Sequence, residues 1–91
     1  MDVTQKIKIK DMINSSLELN SAASIFFDEV NKLPQDKIEI DFENIIFISR
    51  SFTQEYFSQK KKTQKDITEV NIPTDILPIF KMVEKSFGMS Y

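Results

Sequence analysis

Apolar and polar residues alternate with period two in three short stretches of this chain. Between and after them, apolar residues recur at helical spacing. Lys6-Ile7-Lys8-Ile9-Lys10 reads as a first strand. Residues 11–20 are polar and turn-rich. Asn20 or Ser21 then caps a helix with Ala23, Phe26, Phe27, Val30 and Leu33 on its inner face, and Pro34 stops it. Residues 37–42 form a second strand, with Ile38, Ile40 and Phe42 set against Glu39 and Asp41. A short apolar loop leads to a second helix that begins near Ser49 to Ser51 and buries Phe52, Tyr56 and Phe57. It runs out into Lys60-Lys61-Lys62, where cations suit a helix C-terminus. Residues 67–72 form a third strand with Thr68, Val70 and Ile72 on one face. Pro73 breaks it, and Thr74 or Asp75 starts the last helix. There Ile76, Ile79, Phe80, Val83 and Phe87 line the core side, Pro78 sits in the first turn, and Gly88 ends it.

This order predicts an α/β fold: a small single domain over residues 1–91, with its core between about 6 and 88, built as β-α-β-α-β-α. Strands joined through helices are usually parallel. Parallel strands covered on both faces read as continuous apolar runs, whereas all three strands here alternate. The sheet is therefore expected to carry helices mainly on one face. The other face would be wet, with Lys6, Lys8 and Lys10, then Glu39 and Asp41, then Glu69 and Asn71. Opposite charges on neighbouring strands favour that pairing by about 0.2–1 kcal/mol per pair.

Composition narrows the chemistry. Among 91 residues there is no His, Cys or Trp. Their absence removes the usual zinc sites, thiol chemistry and every triad that needs an imidazole. No catalytic residues, metal or cofactor are expected, and a chain without disulfides suits a reducing cytoplasm. Gly88 is the one glycine, so no glycine-rich phosphate loop exists. No apolar run approaches the length of a membrane helix. The net charge of −2 argues against a general attraction to nucleic acid. Lys60, Lys61, Lys62 and Lys65 would be its only focus, and a solvated helix end is the preferred reading. Glu39, Asp41 and Glu43, spaced by two, share a strand face and are expected to meet the lysine strand rather than a metal. Most phenylalanines belong to the core, while Phe47 and Ile48 flank the loop as candidate contact residues.

The joint between the second strand and second helix holds the remaining chemistry. It delivers Ser49, Ser51 and Thr53 to a helix N-terminus, where an anionic group can be bound or received. Ser51-x-x-Gln54 also fits a capping box, and Ser49 is the alternative cap. Asp41 is expected to shape the loop by accepting hydrogen bonds from its N–H groups. A small anion- or nucleotide-binding domain using residues 49–53 is the alternative function.

The run Ile40-Asp41-Phe42-Glu43-Asn44-Ile45, followed by Ile48-Ser49-Arg50-Ser51-Phe52 and Glu55, resembles the STAS-like domain of unknown function, a small prokaryotic family. More distantly it is similar to the anti-sigma factor antagonists of the STAS family. The resemblance spans most of residues 6–87, and its specific part is about twenty residues long. It implies a non-enzymatic regulatory module that binds another protein, a GHKL-type ATPase or kinase. It places the family's phosphorylated serine at Ser51, with Ser49 as second candidate. Asn44, Phe47, Ile48, Arg50, Ser51 and Gln54 would contact the partner, with Asp41 shaping the loop. The chain departs from the antagonists where Ser49 replaces an acidic residue and Phe52 replaces a glycine.

Overall fold

The computed structural model describes residues 3–88. Its elements are β1 (Thr4–Lys8), α1 (Ile9–Met12), β2 (Ser16–Leu17), α2 (Asn20–Asn31), β3 (Lys37–Asp41), β4 (Phe47–Ile48), α3 (Arg50–Lys62), β5 (Asp66–Val70) and α4 (Leu77–Ser86). The fold is α/β. β1, β3 and β5 form a parallel sheet in that order, so β3 is central and the other two are edges. β2 and β4 make a separate two-stranded parallel ribbon. Among the described residues no helix is long and apolar enough to cross a membrane.

One face of the sheet meets the helices. Ile7, Ile38, Ile40 and Ile67 lie on it, and α3 packs between α2 and α4. Tyr56 of α3 is the hub of the core: its ring lies 5.1 Å from Phe27, 5.2 Å from Phe57 and 5.8 Å from both Phe42 and Phe80. The pairs with Phe27, Phe42 and Phe57 are edge-on, an arrangement that adds about 0.5–1.5 kcal/mol each beyond the burial of their area. On the other face, Lys6 lies opposite Glu39 and Lys8 opposite Asp41, as charge alternation demanded.

The differences from the sequence reading have physical causes. β1 ends at Lys8, and Lys10 sits in α1, where Ile9 turns into the core instead of extending the strand. The polar stretch 11–20 contains that helical turn and β2, which is too short to show a period. The cap of α2 is Leu19, without a side-chain bond, rather than Asn20 or Ser21. The last helix starts at Leu77, after a turn at residues 74–76 that keeps Ile76 buried. Gly88 adopts φ +72° and donates to the Lys85 carbonyl, as a C-terminal glycine stop does.

β5 is reversed in phase. Ile67 is its core residue, opposite Ile38, while Thr68 is exposed. Val70 lies opposite Asp41 on the wet face, and Glu69 lies opposite Ile40 on the helix-covered face. A one-residue shift moves every side chain to the other face. Glu69 is tolerated inside because Tyr56 and Lys60 of α3 meet it.

Candidate functional site

The joint after β3 is built by short-range bonds. Asp41 Oδ1 accepts the Glu43 N–H at 2.8 Å and the Asn71 side-chain N–H at 3.2 Å. Asn44 and Asn71 both take positive φ, 66° and 56°, a conformation Asn adopts more readily than most residues. Asp41 therefore fixes the turn after β3 and joins it to the residue that follows β5. The chain then crosses to β2: Ile46 N–H donates to the Ser15 carbonyl and Ser49 N–H to the Leu17 carbonyl.

Ser49 caps α3. Its Oγ accepts the Phe52 N–H at 3.0 Å and donates to the Glu18 carbonyl at 2.6 Å. Thr53 is buried and its hydroxyl donates to the Ser49 carbonyl. Of the three hydroxyls, only that of Ser51 is exposed and without a partner among the described residues. The cap is thus Ser49, and Ser51 is not the head of a capping box. Phe52 is buried and stacks near Tyr56, so it anchors the first turn of α3. Glu55 accepts from Ser24 and Gln59, tying α2 to α3.

The other expected contact residues divide. Asn44, Phe47, Arg50 and Gln54 are exposed, and Arg50 places a guanidinium N–H 3.6 Å from the Met82 sulfur on α4. Ile48 is buried in the core and is not a surface residue. Its place is taken by Ile46, 74% exposed, beside Phe47 at 48%. Leu19, also exposed, follows Glu18 next to Ser49. The signal for Ile46 was available: four consecutive apolar residues, Ile45 to Ile48, cannot all point inward from a two-residue strand.

Ser51 also lines a shallow groove with Asn20, Gln54 and Phe87. The groove runs along α3 from Ser51 to Ser58, with the Glu55 carboxylate in its lining and Asn20 of α2 beside the first turn.

A second polar cluster lies inside the domain. Tyr56 donates to Glu69 Oε2 at 2.6 Å, and Lys60 Nζ sits 3.0 Å from both Glu69 oxygens. Burial, reinforced by the charges of Glu69 and Glu84 and by the bond to Glu69, pushes the Tyr56 hydroxyl well above its ordinary range. Lys65 donates to the carbonyls of Leu33 and Gln35. Of the four clustered lysines, two are therefore engaged internally, and Lys61 and Lys62 remain exposed. Among the described residues no group of three or more acidic side chains is placed to hold a metal ion.

No protein-family model matches the chain, and no curated protein or solved structure matches it either.

Proposed function

We propose that the chain is a STAS-like, non-enzymatic regulatory module that docks onto a protein partner of the GHKL ATPase or kinase type through residues 45–54. The observation that supports this reading is the pairing of an exposed apolar rim, Ile46 and Phe47, with the exposed Ser51 hydroxyl on the first turn of α3. In this reading Ser51 is the phosphoacceptor, since Ser49 already spends its hydroxyl on two bonds. A phosphate there would add about −1.5 to −2 charge. At a helix N-terminus the module itself accommodates that charge, while an apolar interface does not. The test is to capture partners of the chain from its source cells and to titrate any ATP-binding protein recovered by calorimetry. Ser51→Ala should retain binding and Ser51→Asp should weaken it, with the circular dichroism of both unchanged. Equal affinity of the two variants would reject the switch.

The exposed Ser51 hydroxyl on the first turn of α3 favours one other reading, a small anion or nucleotide held at the helix N-terminus over residues 49–53. A thermal shift with phosphate, ATP or GTP that Ser51→Asp abolishes would establish it. No shift at millimolar ligand would dismiss it.

A further inference from the structure

The two edges of the sheet differ. β1 carries Lys6 and Lys8 along its exposed edge, a charge pattern that discourages pairing with another strand. β5 carries no lysine. Its hydrogen bonds to β3 run through alternate residues: Asp66 N–H donates to the Asp36 carbonyl, and the Val70 carbonyl accepts from Phe42. In a parallel ladder this leaves the N–H and C=O of Ile67 and Glu69 pointing away from β3. A groove runs beside this edge, with Ile67, Glu69 and Ile72 on the strand side, Lys60 of α3 also in its lining, and Phe80, Lys81 and Glu84 of α4 as the opposite wall. None of its lining residues belongs to the 45–54 loop.

The charges in the groove are not equally matched. Glu69 is held by Lys60 and Tyr56. Glu84 is only 5% exposed, yet its ion-pair partner is Lys81 at 3.4 Å, a side chain 61% exposed to water. Such a lysine is a weak partner for a carboxylate withdrawn from solvent.

We propose that this groove takes an extended segment of a protein partner. The segment adds as a strand to the edge of β5 and sets a lysine or arginine against Glu84. Its backbone pairs with Ile67 and Glu69, and its inward apolar side chain rests on Ile67, Ile72 and Phe80. An edge strand beside a helix is an established way to read a peptide through its main chain, with side-chain pockets supplying selectivity.

The probe is a short fluorescein-labelled peptide, Thr-Val-Thr-Lys-Thr-Val-Thr, whose valines and lysine share one strand face, followed by anisotropy, with amide hydrogen exchange read on the same samples. Saturable binding is expected, with the Ile67 and Glu69 amides exchanging rapidly in the free protein and slowly in the complex. Glu84→Gln should weaken binding about tenfold, the loss that one charge-assisted hydrogen bond carries. Glu39→Gln, which removes the same charge from the wet face, should leave affinity unchanged. A proline in the middle of the peptide should abolish binding. The proposal is overturned if no saturable binding occurs, or if Glu39→Gln and Glu84→Gln have equal effects. It is equally overturned if those two amides are already protected in the free protein, whether by the fold or by concentration-dependent self-pairing.

Discussion

Lys60→Met should destabilise this chain strongly, because it strands a buried charge. Lys60 and Glu69 are about one-tenth exposed each and lie 3.0 Å apart. At that distance their attraction is about 5–6 kcal/mol for an effective dielectric near 20. Desolvation costs several kcal/mol per ion, so the intact pair contributes little net stability. Removing one partner is different, because the other charge stays buried. Breaking such a pair costs about 3–5 kcal/mol. The Tyr56 hydroxyl continues to serve Glu69, which places the loss near the lower end, about 3 kcal/mol. Met keeps an unbranched chain beside Phe57, whose ring lies 5.6 Å from Lys60 Nζ, so the packing change is small. A loss of that size in a domain this small lowers the melting temperature by about 12–24 °C. Urea unfolding at neutral pH, followed by far-UV circular dichroism, measures it. Adding Glu69→Gln removes the stranded charge and should recover most of the loss. A Lys60→Met variant within about 0.5 kcal/mol of the parent, or a double variant no better than the single, would refute the reasoning.

Three further outcomes follow from the geometry. Ser49→Ala should cost about 1 kcal/mol in urea unfolding through loss of the α3 cap, while Ser51→Ala stays within about 0.5 kcal/mol; equal losses would contradict the assignment of the cap. The raised Tyr56 ionisation makes the folded state hold its proton above the pH, near 10, at which an unfolded tyrosine releases it. Its contribution is therefore complete below that pH and is lost as pH rises through the folded-state value. Tyr56→Phe should flatten the alkaline fall in stability, and an unchanged pH profile would disprove this. Asn44→Gly should be near neutral and Asn44→Ala should cost about 1 kcal/mol, because the left-handed turn penalises a Cβ without Asn's local hydrogen bonding; thermal melts of the pair decide it.

The sequence made the longer elements readable because each has several turns or pleats over which its period repeats. β3, α3 and the core side of α4 emerged from spacing alone, and with them the strand-to-helix joint. β2 and β4 did not, since a two-residue strand has no period and gains its meaning from a partner about thirty residues away. The phase of β5 is not legible for another reason. Thr68, Val70 and Ile72 outnumber Ile67 as β-branched residues, and a glutamate such as Glu69 reads as a wet-face residue. Only the approach of Tyr56 and Lys60 makes an inward Glu69 affordable. At the joint, composition identified the serines, but which hydroxyl is bonded depends on the Glu18 carbonyl, which arrives from β2. The same non-local contact moved Ile48 inward and left Ile46 outside.

The all-parallel pairing also governs how the chain reaches this state. Lys37 of β3 pairs with Thr4 on one side and Asp66 on the other, so each strand pair encloses about thirty residues and at least one helix. No hairpin can nucleate the sheet, and each closure costs loop entropy before any ladder bond is made. Folding should therefore be slow for a chain of this length. During synthesis β3 emerges well before β5. Until β5 arrives, one side of the central strand, with Ile38 and Ile40, has no sheet partner. The interval before β5 docks is thus when a nascent chain is most open to association with its own copies.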